Sequence, residues 1–268
     1  MNAEQHRPKR SLGQNFLIDQ RVVSKIVDAL DVDADDHVIE IGPGRGALTE
    51  RLAGSGAFVT VIELDRHLAG ELKGRYKDIS RFQCIEASVL DVDLSRISSA
   101  GTTKLLGNLP YNISTPILQK LASEAQPFER VIVMVQREVA ARMTANAGDS
   151  ERGFLTVMLE QAFTMRRLFD VAPATFRPIP KVWSAVVEMI PTRSEFASHQ
   201  EFRNLVSGAF LQKRKTLVNN LKARYPDIAN VLAELGIDQM TRAESLTASQ
   251  WRALFARLHV GAEPNFRA

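Results

Sequence analysis

The sequence predicts an α/β protein: a doubly wound, mostly parallel sheet with an antiparallel edge strand, followed by a small all-α C-terminal domain. Three observations carry this. Apolar runs of strand length alternate with helical stretches between residues 37 and 136. A glycine-rich turn, "GPGRG", follows the first of these runs. Beyond Pro191 strand-like runs stop and only helical spacing remains.

The elements follow in chain order. Asp19 before "QRVVSKIVDAL" reads as an N-cap on an amphipathic helix. "HVIEIG" (37–42) is a short buried strand, and "ALTERLAGSG" (47–56) a helix that ends in glycine. "FVTVIEL" (58–64) is the next strand and "RHLAGELKGRY" the next helix. "FQCIEA" (82–87), "KLLGN" (104–108) and "RVIVMVQ" (130–136) continue the sheet, with helices at "TPILQKLASE" and "EVAARMTA". "SAVVEMI" (184–190) is expected to be the antiparallel strand at the sheet edge. "EFRNLVSGAFLQKRKTLVNNLKARY", "PDIANVLAELGI" and "TASQWRALFARLHV" have helical spacing, and the tail "GAEPNFRA" is expected to fray. A boundary near Pro191–Ser194 divides the chain into domains at 1–192 and 193–268.

Of the 268 residues 45% are apolar, enough for a core and against global disorder. No apolar run is long enough to span a membrane. The opening "MNAEQHRPKRSLGQNFL" is basic and lacks an apolar signal core. The single cysteine, Cys84, cannot form a disulfide within the chain, so a reducing cytoplasm is expected. Net charge runs +2 over residues 1–18, −3 over 19–191 and +4 over 192–268. Basic ends suit contact with nucleic acid. No histidine pairs with cysteine or carboxylate at a ligand-like spacing, so neither a metal site nor a catalytic triad is expected.

In "VIEIGPGRGALTE" (38–50), Gly42 and Gly44 allow a sharp turn and close approach of a ligand to the backbone. With Glu63 about twenty residues on, a dinucleotide fingerprint fits this stretch. Glu40 completes E-x-G-x-G-x-G, which resembles motif I of S-adenosylmethionine-dependent methyltransferases of the Rossmann-like class I. That resemblance implies that the turn borders the cofactor's amino-acid end and that Glu63 holds both ribose hydroxyls. A carboxylate suits a vicinal diol because it accepts two charge-assisted hydrogen bonds. The family's acidic adenine contact falls on Ser88 in "IEASVLDVD", a departure; Asp91 and Glu86 are the nearest carboxylates.

"NLPY" at 108–111 resembles the catalytic turn of enzymes that methylate an amine conjugated to a base ring. The lone pair of such an amine is delocalised into the ring. The side-chain oxygen of Asn108 and the backbone carbonyl of Leu109 can accept its two protons, favour tetrahedral nitrogen and stabilise the charge that develops there. Pro110 fixes the turn, and Tyr111 offers a face for an extruded base. Core packing of Tyr111 and a self-capping turn at Asn108 are the plain structural alternatives.

"RSLGQNFL" (10–17), "NLPYNIST", "TFRPIPKVWSAVV" (175–187) and "FLQKRKTLVNNL" (210–221) together closely resemble the bacterial small-subunit ribosomal RNA adenine dimethyltransferases, in order along nearly the whole chain. The resemblance implies transfer of two methyls to each of two adjacent adenines in the last hairpin of 16S ribosomal RNA, within a 30S assembly particle. It implies that Asn15 and Leu17 border S-adenosylmethionine together with Gly42, Glu63, Ser88 and Asn108. Phe176 would face Tyr111 across the target base, with simple core burial as its alternative. Lys213, Arg214, Lys215, Lys222 and Arg224 would contact RNA phosphates, and a monomer is expected. Two rivals remain: the related large-subunit adenine methyltransferases, which share "QNF", and a non-catalytic assembly factor that binds RNA.

Overall fold

The fold follows from where strand order reverses. The computed structural model describes residues 13–98, 102–125, 127–192, 194 and 196–259. The basic stretch up to Leu12 and the tail "GAEPNFRA" lie outside them. The first unit contains β1 (Phe16–Leu17), α1 (Gln20–Leu30), β2 (His37–Ile41), α2 (Thr49–Ala53), β3 (Phe58–Glu63), α3 (Arg66–Arg75), β4 (Phe82–Glu86), α4 (Leu94–Ile97), β5 (Thr103–Asn108), α5 (Ser114–Ser123) and β6 (Phe128–Gln136). After α6 (Arg137–Met143) and α7 (Phe154–Ala162) come β7 (Phe163–Val171), β8 (Phe176–Arg177) and β9 (Ser184–Pro191).

Among the described residues the main sheet runs β4-β3-β2-β5-β6-β9-β7. β2, β3, β4, β5 and β6 are parallel; β9 runs antiparallel to both β6 and β7. From β2 the chain winds outward through β3 to β4, then returns to β5 on the other side of β2. The winding therefore reverses between β2 and β5, and the crevice beyond their carboxyl ends is left uncovered by crossover helices. Ile41 pairs with Gly107 there, so the glycine loop after β2 and the turn after β5 emerge side by side.

Local sequence accounts for the elements. Asp19 caps α1 by accepting from Arg21 N at 2.9 Å, and α1 buries Val23, Ile26 and Leu30. β2 is buried at every position, as an inner parallel strand requires. Its two polar members are matched: the His37 ring lies 2.8 Å from Thr60 Oγ1, and Glu40 accepts from Thr49. The core gathers Leu17, Val38, Leu52, Val59, Val61, Leu106, Ile132 and Phe176.

One expectation about the sheet is corrected. The strand at 184–191 is antiparallel as expected but lies inside the sheet; the edge is β7, which the sequence reading did not predict. Its run "FTMRRLFDV" has arginines in mid-strand. They are tolerated because an edge strand is open to water: Arg166 pairs with Glu188 at 2.9 Å and Arg167 with Asp170. Charge also guards this edge against pairing with another chain.

The chain divides into two compact units. One holds the described residues of Met1–Ala140 and Phe163–Arg193, the other those of Ala141–Ala162 and Ser194–Ala268. The expected boundary near 192–193 matches one division point, but 141–162, assigned to the first domain, packs within the second unit. The second unit adds α8 (Gln200–Ala209), α9 (Leu217–Leu221), α10 (Ile228–Glu234) and α11 (Ala248–Leu258). Arg152 explains why 141–162 belongs there. Its buried guanidinium meets Glu160, Leu246 O at 2.9 Å and Ala145 O at 3.2 Å. A buried charge is tolerated only when partnered in this way. The long helix expected across 201–225 is also broken, because residues 211–215 form a turn between α8 and α9.

Gly107 is a sensitive joint of the first unit. A Cβ there would lie 2.8 Å from Leu109 Cδ2 and 3.3 Å from Ile41 Cβ. Gly107→Ala is expected to lower stability by about 1–3 kcal/mol through overpacking, read as a reduced urea midpoint. An unchanged midpoint would show that Leu109 moves aside without cost.

Candidate active site

The site is assembled at the reversal point from the end of β3, which carries Glu63, and four further chain segments. The first is the loop after β2. Gly42 and Gly44 take φ of +65° and +58°, the left-handed region open to glycine. A Cβ on Gly44 would come within 3.0 Å of the Phe16 ring. Gly46 N donates to Pro43 O at 2.9 Å, which closes the turn into α2.

Two buried carboxylates hold this loop. Glu63 ends β3; its Oε2 accepts from Gly44 N at 3.0 Å and its Oε1 from Asp65 N at 2.8 Å. Each oxygen keeps capacity for a further hydrogen bond. Burial raises the Glu63 carboxyl above its ordinary value, and the Asp65 and Gly44 N–H groups oppose that. Glu40, 1% exposed, lies deeper and accepts from Thr49 Oγ1 at 2.7 Å. Burial pushes its carboxyl up to about 8; the Thr49 hydrogen bond pulls it back and the Glu63 charge adds to the rise. Glu40 is therefore mostly protonated at neutral pH, and it ties β2 to α2.

The second segment is 13–17, which forms one wall of the pocket. Gln14 Nε2 donates to Asp65 Oδ2 at 3.1 Å, and the Arg45 guanidinium lies 4.7 Å from the centre of the Phe16 ring. Gly13 (φ +62°) has no room for a side chain, since a Cβ would meet Asn112 Oδ1 at 2.7 Å. The third segment follows β4: Ala87, Ser88 and Val89 line the pocket. Asp91 and Glu86 do not, and Glu86 lies 3.8 Å from Lys73 Nζ. Ser88 Oγ accepts from Leu90 N at 3.2 Å.

The fourth segment is the turn after β5. Asn108 Nδ2 donates to Asn15 O at 3.2 Å, which leaves Oδ1 as the acceptor end of the amide. Leu109 N donates to Met134 O at 3.0 Å, anchoring the turn on β6. The Tyr111 hydroxyl lies 2.6 Å from Ser184 Oγ at the start of β9, and burial raises its phenol above the ordinary value.

The pocket thus brings together Asn15, Leu17, Glu40, Gly42, Gly44, Glu63, Ser88, Asn108, Leu109, Pro110 and Tyr111. Phe176 is not with them. It is fully buried in the core, opposite Leu17 in the β1–β8 pairing. Burying a phenyl ring is worth about 1.5–3 kcal/mol, which favours the core position. Sequence reasoning missed Gln14, Asp65, Asn112 and Ser184. Asp65 had a visible signal, as an aspartate placed to cap α3, where it accepts from His67 N at 3.1 Å.

The pocket has the donor set for S-adenosylmethionine: apolar walls for an adenine, a strand-end carboxylate for a ribose, and side-chain-free glycine backbone beside them. The model of the ribosomal RNA adenine dimethylase family matches residues 5–259. The chain belongs to the ribosomal RNA adenine dimethylase family. It is 40% identical over 251 residues to "Ribosomal RNA small subunit methyltransferase A" of Prosthecochloris aestuarii, covering 93% of this chain and 94% of that protein. Identity to the protein of the same name from Neisseria meningitidis serogroup C is 42%, with 94% and 96% covered. The crystal structure of a dimethyladenosine transferase from Plasmodium falciparum is similar at a TM-score of 0.76 and 28% identity, covering 89% of this chain and 95% of that one. The 23S rRNA methyltransferase ErmE is similar at 0.69 and 26%, with 91% and 99% covered. Family membership sets aside the dinucleotide reading of the glycine loop. Members of the dimethylase family use S-adenosylmethionine, and this chain is an S-adenosylmethionine-dependent enzyme of that family.

Glu40 gives the site a pH dependence of stability. Its folded value, about 8, exceeds the reference 4.5. The folded chain keeps a proton that the unfolded chain releases, so this contribution is complete below about 4.5 and is lost as pH rises to about 8. Glu40→Gln keeps an acceptor for Thr49 and cannot ionise. Its melting temperature is expected to fall less than the parent's between about pH 5 and about pH 9. Parallel curves would contradict the buried neutral carboxyl.

Proposed function

We propose that this chain dimethylates two adjacent adenines in the 3′-terminal hairpin loop of 16S ribosomal RNA, acting as a cytoplasmic monomer on a 30S assembly particle during small-subunit biogenesis. The observation that carries this is the Asn108–Tyr111 turn, held beside the glycine loop at the point where the winding reverses. The curated relatives at 40–42% identity are named as small-subunit enzymes, which favours the small-subunit substrate over the large-subunit one.

Bound S-adenosylmethionine supplies an electrophilic methyl group. The chain positions the acceptor. Asn15 engages the Asn108 nitrogen, so Oδ1 is the end of the amide that meets a proton on the target amine. The Leu109 carbonyl accepts a hydrogen bond from the other amine proton. Together they localise the nitrogen lone pair and stabilise its growing positive charge. Ser184 fixes the Tyr111 ring by its hydroxyl, which leaves the ring face for the flipped base. No strong base is required, because the amine becomes acidic on methylation. Ser88 takes the position of the adenine-binding acid, with a neutral hydroxyl in place of a charge. RNA phosphates would meet the exposed Arg214, Lys215 and Lys222. Lys213 and Arg224, also assigned to RNA, already hold partners: Lys213 donates to Ser150 O, and Arg224 pairs with Glu201 at 2.6 Å.

The direct test is transfer of labelled methyl to small-subunit particles that lack the modification, followed by mapping of the product. Asn108→Ala is expected to lower single-turnover transfer about a hundredfold or more while S-adenosylmethionine affinity stays near normal. Near-normal transfer would remove the proposed role of Asn108, and no transfer by the parent chain would favour a non-catalytic assembly factor.

Replacing Arg214, Lys215 and Lys222 with alanine is expected to weaken RNA binding and to flatten its salt dependence. The log–log slope should fall by about 0.7–0.9 for each phosphate that is no longer neutralised. A titration across salt concentrations reads this, and an unchanged slope would take these residues out of the interface.

A further inference from the structure

We propose that Trp183 is a second stacking platform, one that takes the unpaired nucleotide next to the target base. This rests on the RNA-methylating function proposed above. Phe176, the aromatic expected to serve RNA, is fully buried, whereas the indole seven residues later is 46% exposed. An exposed indole of this size leaves much apolar surface in water. Ile179 and Val182, four and one residues before it, are exposed as well, at 59% and 43%, so this short stretch of chain is rich in exposed apolar side chains.

The placement is specific. Trp183 O accepts from Arg137 N at 2.9 Å, at the carboxyl end of β6. The next residue, Ser184, is fully buried and pairs with Gln136 in the register. Its hydroxyl lies 2.6 Å from that of Tyr111. Trp183 is therefore one residue from the group that positions the catalytic ring, about 3.8 Å along the backbone. Successive residues of extended chain point to opposite sides. With Ser184 turned to Tyr111, the indole is turned away, so the two rings suit two different bases.

Charge identifies the occupant. Arg137, whose N–H meets Trp183 O, and Arg177 and Lys181, six and two residues before Trp183, are exposed, and these cations outnumber Glu138. Flat apolar surface flanked by cations is the pattern that binds single-stranded nucleic acid, where rings take bases and cations take phosphates. The nucleotide adjoining a flipped adenine in a hairpin loop is unpaired and lies one phosphate away. A base stacked there would hold the loop open and set which adenine enters.

The chain has two tryptophans, and the other, Trp251, is fully buried. Red-shifted emission therefore reports Trp183. A hairpin RNA with two adjacent unpaired adenines is expected to quench it, a duplex of the same length is not, and Trp183→Phe should remove the signal. On particles lacking the modification, Trp183→Ala should raise KM about tenfold, leave kcat within about twofold, and keep S-adenosylmethionine affinity, with Trp183→Phe restoring most of the KM. Unchanged KM, equal quenching by duplex, or loss of cofactor affinity in Trp183→Ala would each overturn the proposal. If the parent chain transfers no methyl to the particles, the function reading fails first and takes this inference with it.

Discussion

The reversal of winding between β2 and β5 is the constraint on which the rest depends. On either side of it the parallel strands are wound in one constant direction, from β2 to β4 and from β5 to β6. At that one gap two loops leave neighbouring strands with nothing between them, and Ile41 and Gly107 set them in register. The glycine loop and the Asn108 turn are therefore neighbours in space although about sixty-five residues separate them in sequence. Gly107 must be small because this approach is close.

Within the gap, two acidic residues of the same type do different work because their surroundings differ. Glu63 is met by two backbone N–H groups, which support its charge and fix the loop. Glu40 meets one hydroxyl and is buried more deeply, so it keeps its proton. Charge on Glu63 disfavours charge on Glu40 and adds to the rise of its carboxyl. Glu40 pins the loop from below, while Glu63, with backbone N–H groups opposing its rise, presents hydrogen-bond-accepting oxygens at the pocket.

Legibility from sequence followed the locality of the cause. Asp19, the glycine loop, Glu63 and Asn108–Tyr111 were readable because each is specified by a short pattern with its own chemistry. The pairing partners of those residues were not. Ser184 is seventy-three positions from Tyr111 and carries no local mark. β7 was missed because an edge strand tolerates the charges that argue against a strand elsewhere, and the same tolerance hid which strand lay at the edge. The burial of Phe176 was not legible because a large apolar ring serves equally as core or as platform in sequence terms; in the fold it pairs with Leu17. The segment 141–162 was assigned to the wrong unit because Arg152 finds its partners nearly a hundred residues on, at Leu246.

That last interaction also constrains how the protein is made. The polypeptide crosses between its two units three times, at 140, 162 and 193. α7 buries Leu155, Val157, Met158 and Leu159, yet α11, in the same unit, ends at Leu258. During translation α7 emerges about a hundred residues before that unit is complete. At ribosomal rates of about 5–20 residues per second, its apolar side chains wait roughly 5–20 seconds for their partners. The same threading bars inheritance of the helical unit as a terminal cassette: a gene break at residue 193 would leave α7 on one fragment and its neighbours on the other.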